Sequence, residues 1–200
     1  MKKYLLLGIV ALVALSISAQ KERKFTVRAG VGMAHVVGSD ADTKVNIAAR
    51  VGAAYDVKLY KGLYLIPEVD FALKGFNPTP NNLYYATLTY HMVYLQAPVW
   101  AAYKFRMKDE GSIVVKAGPY FACGLFGSKV SGSYLYSSRR VGIFDKTYGF
   151  RRFDMGICAG IAYEREKYNV GFEYCRGLRR LDPNFRQYNQ TFDIVVGYRF

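Results

Sequence analysis

From Phe25 onward the chain alternates. Phe25, Val27, Ala29, Val31 and Met33 share one parity, and Thr26, Arg28, Gly30, Gly32 and Ala34 share the other. A period of two is the mark of a β-strand with two unlike faces. The pattern recurs over residues 47–57, 63–74, 93–105, 112–121, 153–164, 168–175 and 191–200. In the last of these, Phe192, Ile194, Val196, Tyr198 and Phe200 oppose Thr191, Asp193, Gly197 and Arg199, with Val195 breaking the polar series. The periodicity predicts eight strands.

The two faces differ in kind. One is large, apolar and uncharged through the centre of each segment. The other combines Gly and Ala with ionisable groups: Arg28, Arg50, Asp56, Glu68, Asp70, Lys104, Lys116, Asp154, Glu164, Glu173, Asp193 and Arg199. A soluble sandwich would be the inverse, with bulky residues meeting inside and a mixed surface outside. Here the bulky face suits lipid, and the small, charged face suits a narrow lumen. The expected fold is therefore all-β: an eight-stranded antiparallel up-and-down transmembrane β-barrel, at the small end of the membrane-barrel range.

The connections agree. Those near residues 60–62, 106–111 and 166–167 are short, while those at 37–45, 76–89, 127–150 and 179–190 are long. Strict alternation of short and long is what periplasmic turns and extracellular loops produce. An even strand count puts both termini on the short-turn side. Outward aromatics should then ring that side: Phe25, Tyr55, Tyr103, Phe105, Tyr163, Tyr168, Tyr198 and Phe200. Tyr outnumbers Trp by 18 to 1, and Tyr favours boundaries that are apolar at one end and wet at the other.

The amino terminus supplies a route. Met1-Lys2-Lys3 is basic, residues 4–13 are apolar, and residues 14–19 are small and polar. Residues 1–19 are read as a secretory signal peptide, leaving residues 20–200 as one barrel domain. The apolar run falls short of the ~20 residues needed to span a bilayer as a helix. The expected location is the outer membrane of a Gram-negative-type envelope. The barrel-assembly machinery would read the last strand, which ends on Phe200. The formal charge is +13. Export argues against nucleic acid as the partner and for outer-membrane lipid.

Candidate chemistry is sparse. In a narrow lumen Arg28, Arg50, Glu68, Asp70, Lys116, Glu173, Asp193 and Arg199 must pair or meet water, as a salt-bridged plug or as an ion path. The histidines, His35 and His91, both have outward parity near the long loops, and no hydrolase motif accompanies them. No catalytic residue is assigned. No CxxC or His cluster suggests a metal, and no cofactor is expected. Cys158 and Cys175 have inward parity on the sixth and seventh segments. A turn at Glu166-Lys167 would set them opposite one another, as candidates for a disulfide in an oxidising compartment. Cys123 points outward near the third long loop. That loop carries Lys129, Arg139, Arg140, Lys146, Arg151 and Arg152, and Arg176, Arg179, Arg180 and Arg186 flank the fourth. Arg grips phosphate by forked hydrogen bonds, so Arg139, Arg140, Arg151, Arg152, Arg179 and Arg180 are candidates for anionic glycolipid. Pro67, Pro98 and Pro119 fall inside strands, where each removes a ladder donor and predicts a bulge or distortion.

Several short stretches resemble the PorT-like outer-membrane β-barrel proteins, architectural relatives of OmpA- and OmpX-type barrels. They are Tyr94-Leu95-Gln96-Ala97-Pro98 on to Lys104-Phe105, Lys116-Ala117-Gly118-Pro119-Tyr120, Phe153-Asp154-Met155-Gly156 through Ala162-Tyr163-Glu164, and Gly197-Tyr198-Arg199-Phe200. Gln96 departs from the Glu common there. The resemblance implies an integral outer-membrane barrel and, for PorT itself, a part in a secretion apparatus. The functional expectation is a non-enzymatic structural or interaction protein whose basic loops contact glycolipid or an unidentified protein partner. The alternatives are a secretion accessory, a lipid A-modifying enzyme and a small-solute pore.

Overall fold

A computed structural model describes residues 25–39, 43–78, 87–108, 111–132, 139–144 and 150–200. Residues 1–19, expected to be a signal peptide, and Lys146 lie outside the described residues. The strands are β1 (Phe25–Val37), β2 (Thr43–Lys44), β3 (Asn46–Tyr55), β4 (Val57–Tyr60), β5 (Leu63–Pro78), β6 (Thr87–Arg106), β7 (Gly111–Gly132), β8 (Arg139–Gly142), β9 (Phe153–Arg165), β10 (Tyr168–Gly177) and β11 (Tyr188–Arg199). Eight of them form the wall: β1, β3, β5, β6, β7, β9, β10 and β11. Each pairs antiparallel with the next in the chain, and β1 pairs with β11, so the sheet closes. Closure leaves no edge, the condition for strands in lipid. The seam ends on a 2.8 Å bond from the Phe200 N–H to the Phe25 carbonyl. The short strands extend this wall: β2 and β4 pair with β5 beyond either end of β3, and β8 pairs with β7.

Parity sorts the side chains as the alternation requires. Val31, Ile47, Phe71, Phe121, Ile157, Phe172 and Val196 are exposed on the outer wall, while their neighbours Arg50, Asp70, Lys116 and Glu173 are buried inside. Val195 obeys the register rather than its chemistry and lies in the lumen at 1% exposure. The aromatic rim forms: Phe25 and Phe200 meet at the seam, Tyr103 meets Phe105, and Tyr168 and Phe200 both pack edge-on against Tyr198. At the tight turns Lys61 and Glu166 hold left-handed backbone, with φ of 34° and 51°.

Two expectations change. The strands outrun the alternation: β5 reaches Pro78, β6 begins at Thr87, and β7 continues to Gly132 where loop was expected. On β7 the reason is a bulge. Val93 pairs with Phe126 but Tyr94 pairs with Gly124, leaving Leu125 as the extra residue. One inserted residue exchanges the faces beyond it, so a period-two pattern breaks while the ladder continues. The prolines produce distortion without a bulge. Between β5 and β6 the register is unchanged across Pro67–Val99 and Asp70–Gln96, but the two rungs between them are unbridged. Two rungs are likewise missing between Pro98–Tyr120 and Ala101–Ala117.

The loop end of the lumen is filled. Phe76 stacks on Tyr90 at 4.6 Å, Phe150 leans on both at 6.4 and 5.5 Å, and Phe144 packs edge-on against Tyr94 at 6.0 Å. Met92, Ile143 and Leu181 complete this cork. The segments after β7 and β10 fold inward to supply Ile143, Phe144 and Leu181. They are anchored by Ile143 N–H to Gly127 O at 3.2 Å and Arg151 N–H to Leu181 O at 2.9 Å.

Candidate functional site

Inside the wall the charged residues form three tiers. Nearest the turns, Lys104 donates to Asp56 at 2.6 Å and to Glu164 at 2.8 Å, with its ammonium 4.7 Å from the Tyr64 ring centre. Arg199 joins the same carboxylates, at 2.5 Å from Glu164 and 3.4 Å from Asp56. In the middle tier Glu173 receives three cations. Arg28 bridges it to Glu68, Arg50 bridges it to Asp193, and Lys116 contacts it directly. The Trp100 indole donates to Glu68 at 2.7 Å and lies 4.3 Å from the Lys116 ammonium. Nearest the loops, Lys74 sits between the Tyr94 and Tyr120 rings, at 5.3 and 4.7 Å, and 3.9 Å from Asp154. Asp154 accepts from the Tyr120 hydroxyl at 2.9 Å and the Asn189 amide at 3.0 Å.

The tiers share a design. Each has one lysine lying over an aromatic face and at least one carboxylate, and cation–π contact is strongest where water is excluded. Arg28, Arg50, Lys74, Lys104, Lys116 and Arg199 stand against Asp56, Glu68, Asp70, Asp154, Glu164, Glu173 and Asp193, so opposite charges nearly balance. A buried charge is tolerated when paired. The partners come from different strands: Glu173 on β10 joins Arg28 on β1, Arg50 on β3 and Lys116 on β7. The network therefore staples the wall across its diameter.

Little space remains. Cavities of about 30 Å³ beside Arg28, Lys116 and Glu173 and about 10 Å³ beside Arg50, Lys74 and Gln96 are on the scale of single waters. The turn end, by contrast, opens into a cup of about 780 Å³ whose walls include Lys58, Lys61, Arg106 and Glu166 and whose floor is the Lys104–Glu164 tier.

All eight charges expected to matter in the lumen lie there. Arg28, Arg50, Glu68, Asp70, Lys116, Glu173 and Asp193 are buried, and Arg199 sits at the turn-end tier. Lys74, Trp100, Tyr120 and Asn189 were not singled out, although parity places each inside; only the tertiary structure shows their roles. Cys158 and Cys175 face each other across β9 and β10 and are joined by a disulfide. Intact-mass analysis after alkylation is expected to find one modified thiol, Cys123, without reductant and three with it. Three modified thiols without reductant would exclude the bond.

The loop arginines are less uniform than their sequence suggests. Arg152 donates to the carbonyls of Gly124 and Leu125 at 3.4 and 3.3 Å, while its guanidinium lies over Phe144. It thus braces the bulge. Arg179 lies over Phe153 at 5.1 Å. Arg151 is half-buried and Arg180 exposed. Arg139 and Arg140 fall on β8, with side chains outside the described residues. His35 on β1 and His91 on β6 are separated by β3 and β5 and do not meet. Among the described residues no His, Cys, Asp and Glu group has metal-site geometry.

Solved structures of similar fold include Neisserial surface protein A, 12% identical over 88% of this chain and 97% of that one, with a TM-score of 0.53. The outer membrane enzyme PagL is also 12% identical, over 88% of this chain and 99% of that one, at 0.53. The Yersinia pestis attachment invasion locus protein Ail, solved with the heparin analogue sucrose octasulfate, is 16% identical over 88% and 98%, at 0.44. No curated protein matches the sequence. The family described as the outer membrane protein beta-barrel domain matches residues 18–182. The closed sheet, outward apolar face and charged lumen agree with that match, and the chain belongs to the outer membrane β-barrel domain family.

Proposed function

We propose that this protein is a non-enzymatic, non-conducting barrel of the outer membrane, exported by its signal peptide, that serves as a structural or interaction protein. The observation that carries this reading is the filled lumen: three tiers of paired charge beneath an aromatic cork, with water-sized cavities between them among the described residues. A chain of cross-lumen ion pairs holds the wall round and blocks passage. That leaves the outer surface and the mouths as the places where the protein acts. The loop end faces outward, and its basic residues, Arg139, Arg140, Arg151, Arg152, Arg179 and Arg180, present charge to anionic glycolipid or a protein partner. Purified protein in planar bilayers at 1 M KCl is expected to give no resolved conductance steps. Regular steps from a monomeric preparation would replace this reading with a pore.

The cup at the turn end favours a second reading, the secretion accessory suggested by the PorT-like resemblance. Its rim of Lys58, Lys61 and Arg106 would face the periplasm, where such a partner would dock. Lys61→Glu with Arg106→Glu should then abolish co-purification of a periplasmic component that the parent protein retains. An unchanged set of co-purifying proteins would remove the secretion reading. The lipid A-modifying enzyme has no comparable support, because β3 and β5 separate His35 from His91 on the outer wall; unaltered lipid A masses after incubation with the pure protein are expected.

A further inference from the structure

The outer wall near the loops carries a feature that neither the lumen nor the loops explain. Three outward positions on neighbouring strands form one paired row: His35 on β1 with Gln190 on β11, and Gln190 with Arg176 on β10. The next outward row toward the turns is Met33, Phe192, Tyr174 and Ala159. Successive outward positions on a strand are ~6.6 Å apart, so the polar row lies directly above the apolar one.

That lower row opens a groove of about 530 Å³ on the lipid-facing side, lined by Val31, Met33, Ala159, Phe172, Tyr174 and Phe192 among others. Ala159 is the small residue in a row otherwise of Met and aromatics, and it leaves a notch as the groove's floor.

The polar row is under-satisfied. Arg176 is exposed, and among the described residues its guanidinium has no hydrogen-bond or ion-pair partner. His35 lies parallel to the Phe192 ring at 6.5 Å, and its Nδ1 has no hydrogen-bond partner among the described residues. An unpaired cation on a membrane-facing surface is costly, and such residues find counter-charges or mark ligand sites. A groove for hydrocarbon capped by a guanidinium unpaired among the described residues is complementary to one molecule: an acyl chain carrying an anionic head.

We propose that this face of β1, β11, β10 and β9 binds one anionic, phosphate-bearing lipid. An acyl chain lies along the groove past Ala159, the phosphate meets the Arg176 guanidinium, and His35 and Gln190 flank the head. The site deepens the lipid-contact reading above and rests on its placing the loop end at the outer leaflet. It is distinct from the loop arginines.

The test uses the full mature chain in zwitterionic detergent, titrated with dioleoyl phosphatidylglycerol or dioleoyl phosphatidylcholine and read by native mass spectrometry. One phosphatidylglycerol is expected to bind at least ~10-fold more tightly than phosphatidylcholine, the scale of a charge-assisted contact. Arg176→Gln should remove that preference, and Ala159→Trp, which fills the notch, should weaken both lipids. Both substitutions point outward, so an unchanged melting temperature is the control for folding. Lys61→Gln, on the opposite rim, should leave lipid binding unchanged. Equal affinity for the two lipids, or a preference that survives Arg176→Gln, overturns the proposal. So does its loss only when Arg139, Arg140, Arg179 and Arg180 are neutralised, which would place the lipid on the loops. An Ala159→Trp change in protein oligomer mass with lipid uptake unaltered would make the groove an interface between copies. Conductance steps alongside an intact lipid preference would refute the plugged barrel and leave this site standing.

Discussion

Glu173→Ala is expected to lower the free energy of unfolding by about 3–5 kcal/mol, the usual cost of removing one partner from a buried charge cluster. Glu173 is 4% exposed and faces Arg28, Arg50 and Lys116 together. Its removal leaves three cations sharing Glu68, Asp70 and Asp193, and the wall loses contacts linking β10 to β1, β3 and β7. Glu173→Gln should cost less, since the amide keeps the shape and some hydrogen bonding, yet it removes the charge that the three cations share. Urea titration in lipid vesicles, followed by the fluorescence of the single tryptophan, Trp100, measures both. A loss below about 1 kcal/mol for Glu173→Ala would mean that water already screens the middle tier, as it does exposed pairs, and the plug would have to be given up.

Trp100→Ala is expected to cost about 3–5 kcal/mol, the range for truncating a buried aromatic. Trp100 is fully buried, at 0% exposure, on the inner face of β6. It fills the middle of the lumen, donates to Glu68 and lies over Lys116. Alanine removes packing, donor and ring at once. Trp100→Phe keeps a ring over Lys116 but deletes the donor, and should cost roughly 1–3 kcal/mol through the lost bond to Glu68, whose Oε2 then keeps only Arg28. Gel mobility of the folded and unfolded forms across a denaturant series separates the two variants. Equal losses would show that the hydrogen bond carries the whole effect and that packing contributes nothing.

Parity made most of the barrel readable in advance. Phe192, Ile194 and Val196 announce a lipid face, and Arg28, Arg50 and Glu173 a lumen, because strand geometry sends alternate residues to opposite sides whatever the neighbours do. Even Val195, which breaks the chemical pattern, follows the geometry. The charge partners across the lumen were not readable. Arg28 is 145 positions from Glu173 in the chain, and nothing local distinguishes Glu173 from Glu164 as its mate. The cork was missed for a related reason: Ile143, Phe144 and Leu181 lie outside any periodic segment, where an apolar residue says nothing about what it packs against. The bulge at Leu125 ended the alternation and made continuing strand look like loop.

By itself, the sequence determined the class, strand count and closure of this protein. Each follows from period-two patterning, from the rhythm of short and long connections, and from the rule that backbone in lipid must be fully paired. Only the tertiary structure decided what the inside and the outer wall amount to. Register and stagger bring residues distant in the chain to within hydrogen-bond range, so they select Glu173 as the hub and place Arg176 above an apolar groove. Those outcomes depend on how strands slide past one another when the barrel closes, and no window along a single strand contains that information.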